Sequence, residues 1–313
     1  MKKGNELFST GMMRVLFRHL KFVLILSFLS VPAIAFTAEK AETIDELSKM
    51  YDVSSCKTCH AKIYEEWSQS YHATSLVGSS GTMSSLAGAV KNGLMKEWTE
   101  SGVKDIRDIK AEHLIICLKC HLPQIKDASD EVIQQIAQLA IEGTTGDKAA
   151  IEELKKVGIN CLVCHNGKAI IHKWVDGEVE NNVLYGNIES AHADIKFRTV
   201  KKSPVMKESI FCGQCHGLGP NFELSNPSQC PTLYGSYLHA YIPSGGSKTC
   251  QECHVKNSHS MGSYRDPDLA KSAVRVEVDA RGYYFLPKSG FSVPKAVVTV
   301  KMTNNAGHRI PDG

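Results

Sequence analysis

The chain has 313 residues, 42% hydrophobic and 22% charged, a balance that excludes a disordered or low-complexity protein and fits one large domain or two ordinary ones. Its formal charge of +3 is concentrated at the start: Lys2, Lys3, Arg14, Arg18 and Lys21 face only Glu6 within residues 1–35, which leaves −1 for the remainder. No basic surface remains to suggest a nucleic-acid partner.

In chain order, residues 1–35 read as a signal peptide. A basic stretch ending Arg18-His19-Leu20-Lys21 precedes the apolar run Phe22–Val31, and Ala33-Ile34-Ala35 supplies the small-x-small pattern of a cleavage site. The alternative is an uncleaved anchor, but the run is shorter than the roughly 20 residues a bilayer span needs, and Pro32 interrupts it. The mature chain is therefore expected to be exported and free of integral membrane spans, in the periplasm or at the cell surface or outside it.

Residues 36–263 carry five copies of one motif. Cys56-Lys57-Thr58-Cys59-His60 comes first, with a candidate helix Ile63–Ser75 directly after it. Cys117-Leu118-Lys119-Cys120-His121 is second, followed by amphipathic helices expected over Asp127–Gly143 and Asp147–Gly158. Cys161-Leu162-Val163-Cys164-His165 and Cys212-Gly213-Gln214-Cys215-His216 come next, the latter leading into an expected loop over Gly217–Ser228. Cys250-Gln251-Glu252-Cys253-His254 is the fifth. Residues 264–313 change character. Ala273–Val278 and Ala296–Met302 are rich in β-branched residues and partly alternate, the signature of strands, and the unit is expected to be a truncated β tail.

In a c-type haem, two cysteine sulfurs form thioethers to the porphyrin and the histidine directly after them becomes the proximal iron ligand. Random placement of 11 Cys and 13 His would give about 0.02 copies of the motif, so five are not accidental. A zinc site expects Cys pairs about 15–20 residues apart. Here 57 residues separate Cys59 from Cys117, and the shortest gap, Cys215 to Cys250, is 34. Five covalently bound haem c groups are therefore expected, attached at Cys56, Cys59, Cys117, Cys120, Cys161, Cys164, Cys212, Cys215, Cys250 and Cys253. The proximal ligands are His60, His121, His165, His216 and His254. The expected fold is mostly α and irregular, with a core built around haems and a small C-terminal β unit. Cys230 stands outside the motifs and reads as a buried apolar residue, with a free thiol or an intermolecular bridge as alternatives.

Each iron needs a second axial ligand or stays open. Seven histidines of the mature chain lie outside the motifs: His72, His113, His172, His192, His239, His259 and His308. All are candidate distal ligands, and two must do something else if all five irons are six-coordinate. His259 follows His254 too closely to reach the far face of the same porphyrin, so it is assigned to a neighbouring haem or chain. His308 sits in Gly307-His308-Arg309-Ile310-Pro311, a turn that would project it from a strand end.

Cys56–Ala73, CKTCHAKIYEEWSQSYHA, resembles the opening motif of the cytochrome c-554 type of multihaem cytochromes, and GINCLVCHNG around Cys161 resembles another haem site of that family. The resemblance covers about residues 53–260 and implies that His72 ligates a haem other than the one just before it. The fifth motif and the β tail depart from the four-haem pattern; the tail resembles those of extracellular electron-transfer cytochromes. The expected function is electron carriage along closely spaced bis-histidine haems, with redox proteins as partners and self-association as a further expectation. The alternative is a multihaem oxidoreductase in which one open haem acts on a nitrogen or sulfur oxyanion.

Overall fold

Ser129 accepts from the Val132 N–H, Asp130 and Glu131 occupy the first turn, and Val132, Ile133, Ile136, Ala137 and Ala140 recur on one buried face. Cap, dipole and apolar stripe together make this helix, Asp130–Thr144, the spine of the N-terminal half. The structure, a computed structural model, describes residues 40–166, 180, 182–217, 232–255, 258–263, 265–288 and 290–310. The expected signal peptide, His172, Cys230 and most of the loop expected over Gly217–Ser228 lie outside them.

Twelve α-helices are described: α1 Ile44–Met50, α2 Ser54–Cys59, α3 Ala61–Ser68, α4 Ser80–Gly88, α5 Ala111–His121, α6 Asp130–Thr144, α7 Lys148–Leu154, α8 Cys161–His165, α9 Ser209–His216, α10 Leu233–Ser236, α11 Cys250–His254 and α12 Pro267–Ala273. Two of them run on with a wider winding, α4 into Ala89–Glu97 and α10 into Tyr237–Tyr241. Three strands, β1 Val183–Gly186, β2 Ser190–Ala191 and β3 Thr199–Lys202, form a small sheet with β3 central, parallel to β1 and antiparallel to β2. A hairpin of β4 Val274–Phe285 and β5 Val293–Asn304 follows, paired from Val274↔Asn304 to Phe285↔Val293. The chain is thus mostly helical with a small β unit at its end. Among the described residues no helix is long and apolar enough to cross a membrane.

The two expected helices after the second motif form with shifted ends. The first begins at Asp130 rather than Asp127, because the Asp127 carboxylate accepts from the Tyr51 hydroxyl at 2.5 Å and Ser129 takes over the cap. The second is capped by Asp147 but stops at Leu154. The helix expected over Ile63–Ser75 runs from Ala61 only to Ser68, and tight turns carry the chain on past His72.

Side chains fill the core of the N-terminal half: Leu47, Ile109, Leu118, Leu122, Ile133 and Ile136 are each fully buried in one aliphatic cluster that also takes in Leu162 and Phe197. Burying each such side chain contributes about 1.5–3 kcal/mol, and the cluster joins α5, α6 and α8. The motif helices lie at the margin of this cluster. Leu118 and Leu162 point in, while the cysteines and histidines of their motifs are only partly buried.

Candidate cofactor-anchoring site

Each motif sits on a short helix, so the two cysteines, three residues apart, project from one side and the histidine follows at the helix end. Local capping explains where two of these helices start. Asn160 accepts from Leu162 N–H ahead of α8, and Thr249 and Glu252 form a reciprocal box at α11.

The fold brings motif cysteines together across segments remote in sequence. Cys56 is hydrogen-bonded to Cys161, Cys120 to Cys215, and Cys212 to Cys250. The contact with Cys161 holds the Cys56 thiol down at about 7, and the contact with Cys212 holds Cys250 down at about 6. Burial pushes Cys164 up to about 11. The five attachment sites are therefore linked first to third, second to fourth and fourth to fifth, and α9 packs against both α5 and α11.

Four motif histidines face a second imidazole. His60 lies opposite His192 with ring centres 6.3 Å apart, His216 opposite His72 at 6.1 Å, His165 opposite His259 at 6.4 Å, and His254 opposite His308 at 6.2 Å. Two imidazoles bound through Nε2 at about 2 Å on opposite sides of one metal ion place their ring centres about 6 Å apart. Four separations this close to that value, each joining a motif histidine to one outside the motifs, fit trans-axial ligand pairs. Among the described residues no three His, Cys, Asp or Glu side chains converge as a chelating group. Each pair offers two nitrogen donors to one metal ion.

Hydrogen bonds at the other ring nitrogen fit the same role. Nδ1 of His165 meets the Tyr185 carbonyl at 2.9 Å, His192 the Phe197 carbonyl at 2.8 Å, His254 the Gly262 carbonyl at 2.6 Å, and His308 the Arg309 carbonyl at 2.8 Å. A carbonyl only accepts, so Nδ1 carries the proton and Nε2 keeps its lone pair for a metal. The small sheet supplies one of these carbonyls, Tyr185 on β1, and Phe197 lies two residues before β3. His259 is placed differently, by its main-chain N–H donating to Glu66 at 2.9 Å. His72 is half-buried beside His216, and burial first, then His216, depresses it to about 4.

The remaining candidates stand apart. His113 caps the start of its own helix, its Nδ1 accepting from Lys110 N–H at 2.9 Å, which puts the ring proton on Nε2. It also shares α5 with His121, and two residues of one straight helix cannot face each other across a porphyrin plane. His239 is exposed on the widened turn Tyr237–Tyr241. His121 has its Nδ1 3.4 Å from the Ser75 carbonyl, and among the described residues no second imidazole faces it. The orienting carbonyls have no sequence signature, since any main-chain carbonyl can serve, and Glu66 meets His259 from 193 positions away. No protein family, curated protein or solved structure matches the chain.

Proposed function

We propose that this protein is an exported five-haem c-type cytochrome that carries electrons between redox partners along its row of attachment sites. The reading is carried by the four imidazole pairs, each joining a CxxCH histidine to a remote one at the spacing of two axial ligands. Haem supplies a one-electron couple whose potential follows axial ligation, burial and nearby charge. The protein's part is to hold. The motif cysteines would anchor the group, the paired imidazoles would hold its iron, and backbone carbonyls at Nδ1 keep His165, His192, His254 and His308 in the ligating tautomer. Fixed coordination leaves little to reorganise when charge moves. The fold places Cys56 beside Cys161, Cys120 beside Cys215 and Cys212 beside Cys250, so neighbouring attachment sites are close, as electron tunnelling requires. Residues 1–35 would direct the chain out of the cytoplasm, where haem is attached.

A second reading is supported by one observation: among the described residues, His121 has no imidazole opposite. A site with an open position can bind a small molecule, and the corresponding activity is reduction or oxidation of a small nitrogen or sulfur oxyanion. One preparation tests both. The protein is produced with haem-attachment machinery, its haem content measured by mass and by pyridine haemochrome, and the reduced form titrated with carbon monoxide. Five haems with low-spin spectra are expected, and a chain without covalent haem would sink the proposal. One carbon monoxide per chain, with turnover of nitrite, hydroxylamine or sulfite, would favour the enzyme; binding without turnover leaves a carrier with one accessible iron.

A further inference from the structure

The fifth site is built from parts that hold one another weakly. Its proximal half is fixed to the fourth motif: Cys250 N–H donates to Ser209 Oγ at 3.2 Å, and the Gln251 amide donates to the carbonyls of Met206 at 3.0 Å and Glu208 at 2.8 Å. Its distal half, His308, hangs from the end of a hairpin whose side chains are exposed along almost its whole length. A hairpin with so little packing cannot by itself fix the position of a ligand at its end.

What fixes His308 is the residue after it. Arg309 N–H donates to Ser236 Oγ at 3.2 Å, and its guanidinium donates to Thr232 Oγ1. Thr232 and Ser236 flank a segment that is itself anchored, because the Tyr234 ring lies so tightly on Gly213 that a Cβ there would come within 2.5 Å of it. Gly213 belongs to the fourth motif. A continuous path of contacts therefore runs from the fourth motif helix through Tyr234 and Arg309 to the imidazole opposite His254. The loop itself is closed by Asn304, whose amide donates to the His308 carbonyl at 2.9 Å.

We propose that Arg309 is the positioning residue of the fifth site, latching the end of the β hairpin onto Thr232 and Ser236 so that His308 stays opposite His254. The inference rests on the five-haem reading. Loss of the latch leaves the imidazole on a poorly restrained strand end, where an added ligand can compete with it.

The test uses the full haem-loaded chain and four variants: Arg309→Ala, Arg309→Lys, His308→Ala and the double variant of Arg309→Ala with His308→Ala. Low-temperature electron paramagnetic resonance counts low-spin irons, and carbon monoxide titration of the reduced protein counts exchangeable ones. Arg309→Ala is expected to bind one more carbon monoxide per chain than the parent, matching His308→Ala, and the double variant to bind no more than either. Arg309→Lys, which can still donate to Thr232, is expected to restore the parent count. An Arg309→Ala protein with the parent's stoichiometry, alongside a His308→Ala protein that gains a ligand, overturns the latch alone. A His308→Ala protein unchanged in both measurements, or a parent without haem, overturns the reading beneath it.

Discussion

At neutral pH the ring of His72 carries no charge, because burial and the neighbouring His216 hold its pKa near 4. It is therefore poised as a metal ligand in the folded chain. In the haem-loaded protein, His72→Ala is expected to convert one iron, the one opposite His216, from low to high spin; an unchanged low-spin spectrum would remove His72 from the ligand set. Tyr51 bears on stability rather than on ligation. Burial and the hydrogen bond to Asp127 push its phenol well above the usual range of about 10. An acid with a raised native pKa stays protonated while the unfolded chain releases its proton, so this tyrosine lowers stability as the pH climbs past about 10. Tyr51→Phe should cost about 1–2 kcal/mol at neutral pH, from the lost bond and the acceptor left behind, and should flatten the alkaline fall. Denaturant melts at pH 7 and pH 11 measure both effects.

Between elements, the decisive contact is a backbone crossing. Gly158 passes so close to the turn bearing His72 that a Cβ would lie 2.2 Å from the Ala73 carbonyl oxygen. The crossing is tied by Ile159 N–H to the His72 carbonyl at 2.9 Å, by the Trp67 indole to the Ile159 carbonyl at 2.9 Å, and by the Gln124 amide to the Gly158 carbonyl at 2.6 Å. Gly158→Ala should destabilise by about 1–3 kcal/mol, as overpacking against rigid backbone does, and should disturb the spin state of the iron opposite His216. A thermal melt with matched spectra checks both. The same glycine marks what could be read in advance. It looked like a helix stop, and the helix does end before it, but its use is a close approach that depends on residues some eighty positions earlier. The two helices after the second motif were legible in the sequence, with the Asp147 cap but not the Ser129 one, as were the strands of the β tail. The sheet around β3 was not, since Thr-Val-Lys-Lys has no buried alternation and its partners are non-local. The five CxxCH motifs could be read because their residues are contiguous. Which remote histidine meets which motif could not, since that is settled by tertiary packing alone.

At the scale of the whole molecule, order is uneven. The aliphatic cluster around α5 and α6 is sealed from water, while on the hairpin Val276, Val278, Val298, Val300 and Met302 are each more than half exposed. Its twelve-residue strands are fully paired, yet water reaches their hydrogen bonds from both sides. Amide hydrogen exchange should therefore protect Ile133–Ala140 far longer than Val276–Ala280. Equal protection of the two would mean that the hairpin face is covered in solution.

The long reach of the histidine pairs also bears on the order of maturation. A chain exported from its N-terminus presents His60 well before His192, His165 before His259, and His254 before His308. Only His216 emerges with its counterpart, His72, already outside. If haem is joined to each motif as it appears, the first, third and fifth irons must each wait, half-clad, for a later stretch of polypeptide. Arresting translocation between His216 and His259 should accordingly trap a species whose fourth haem is already low-spin while its third is still open to exogenous ligands.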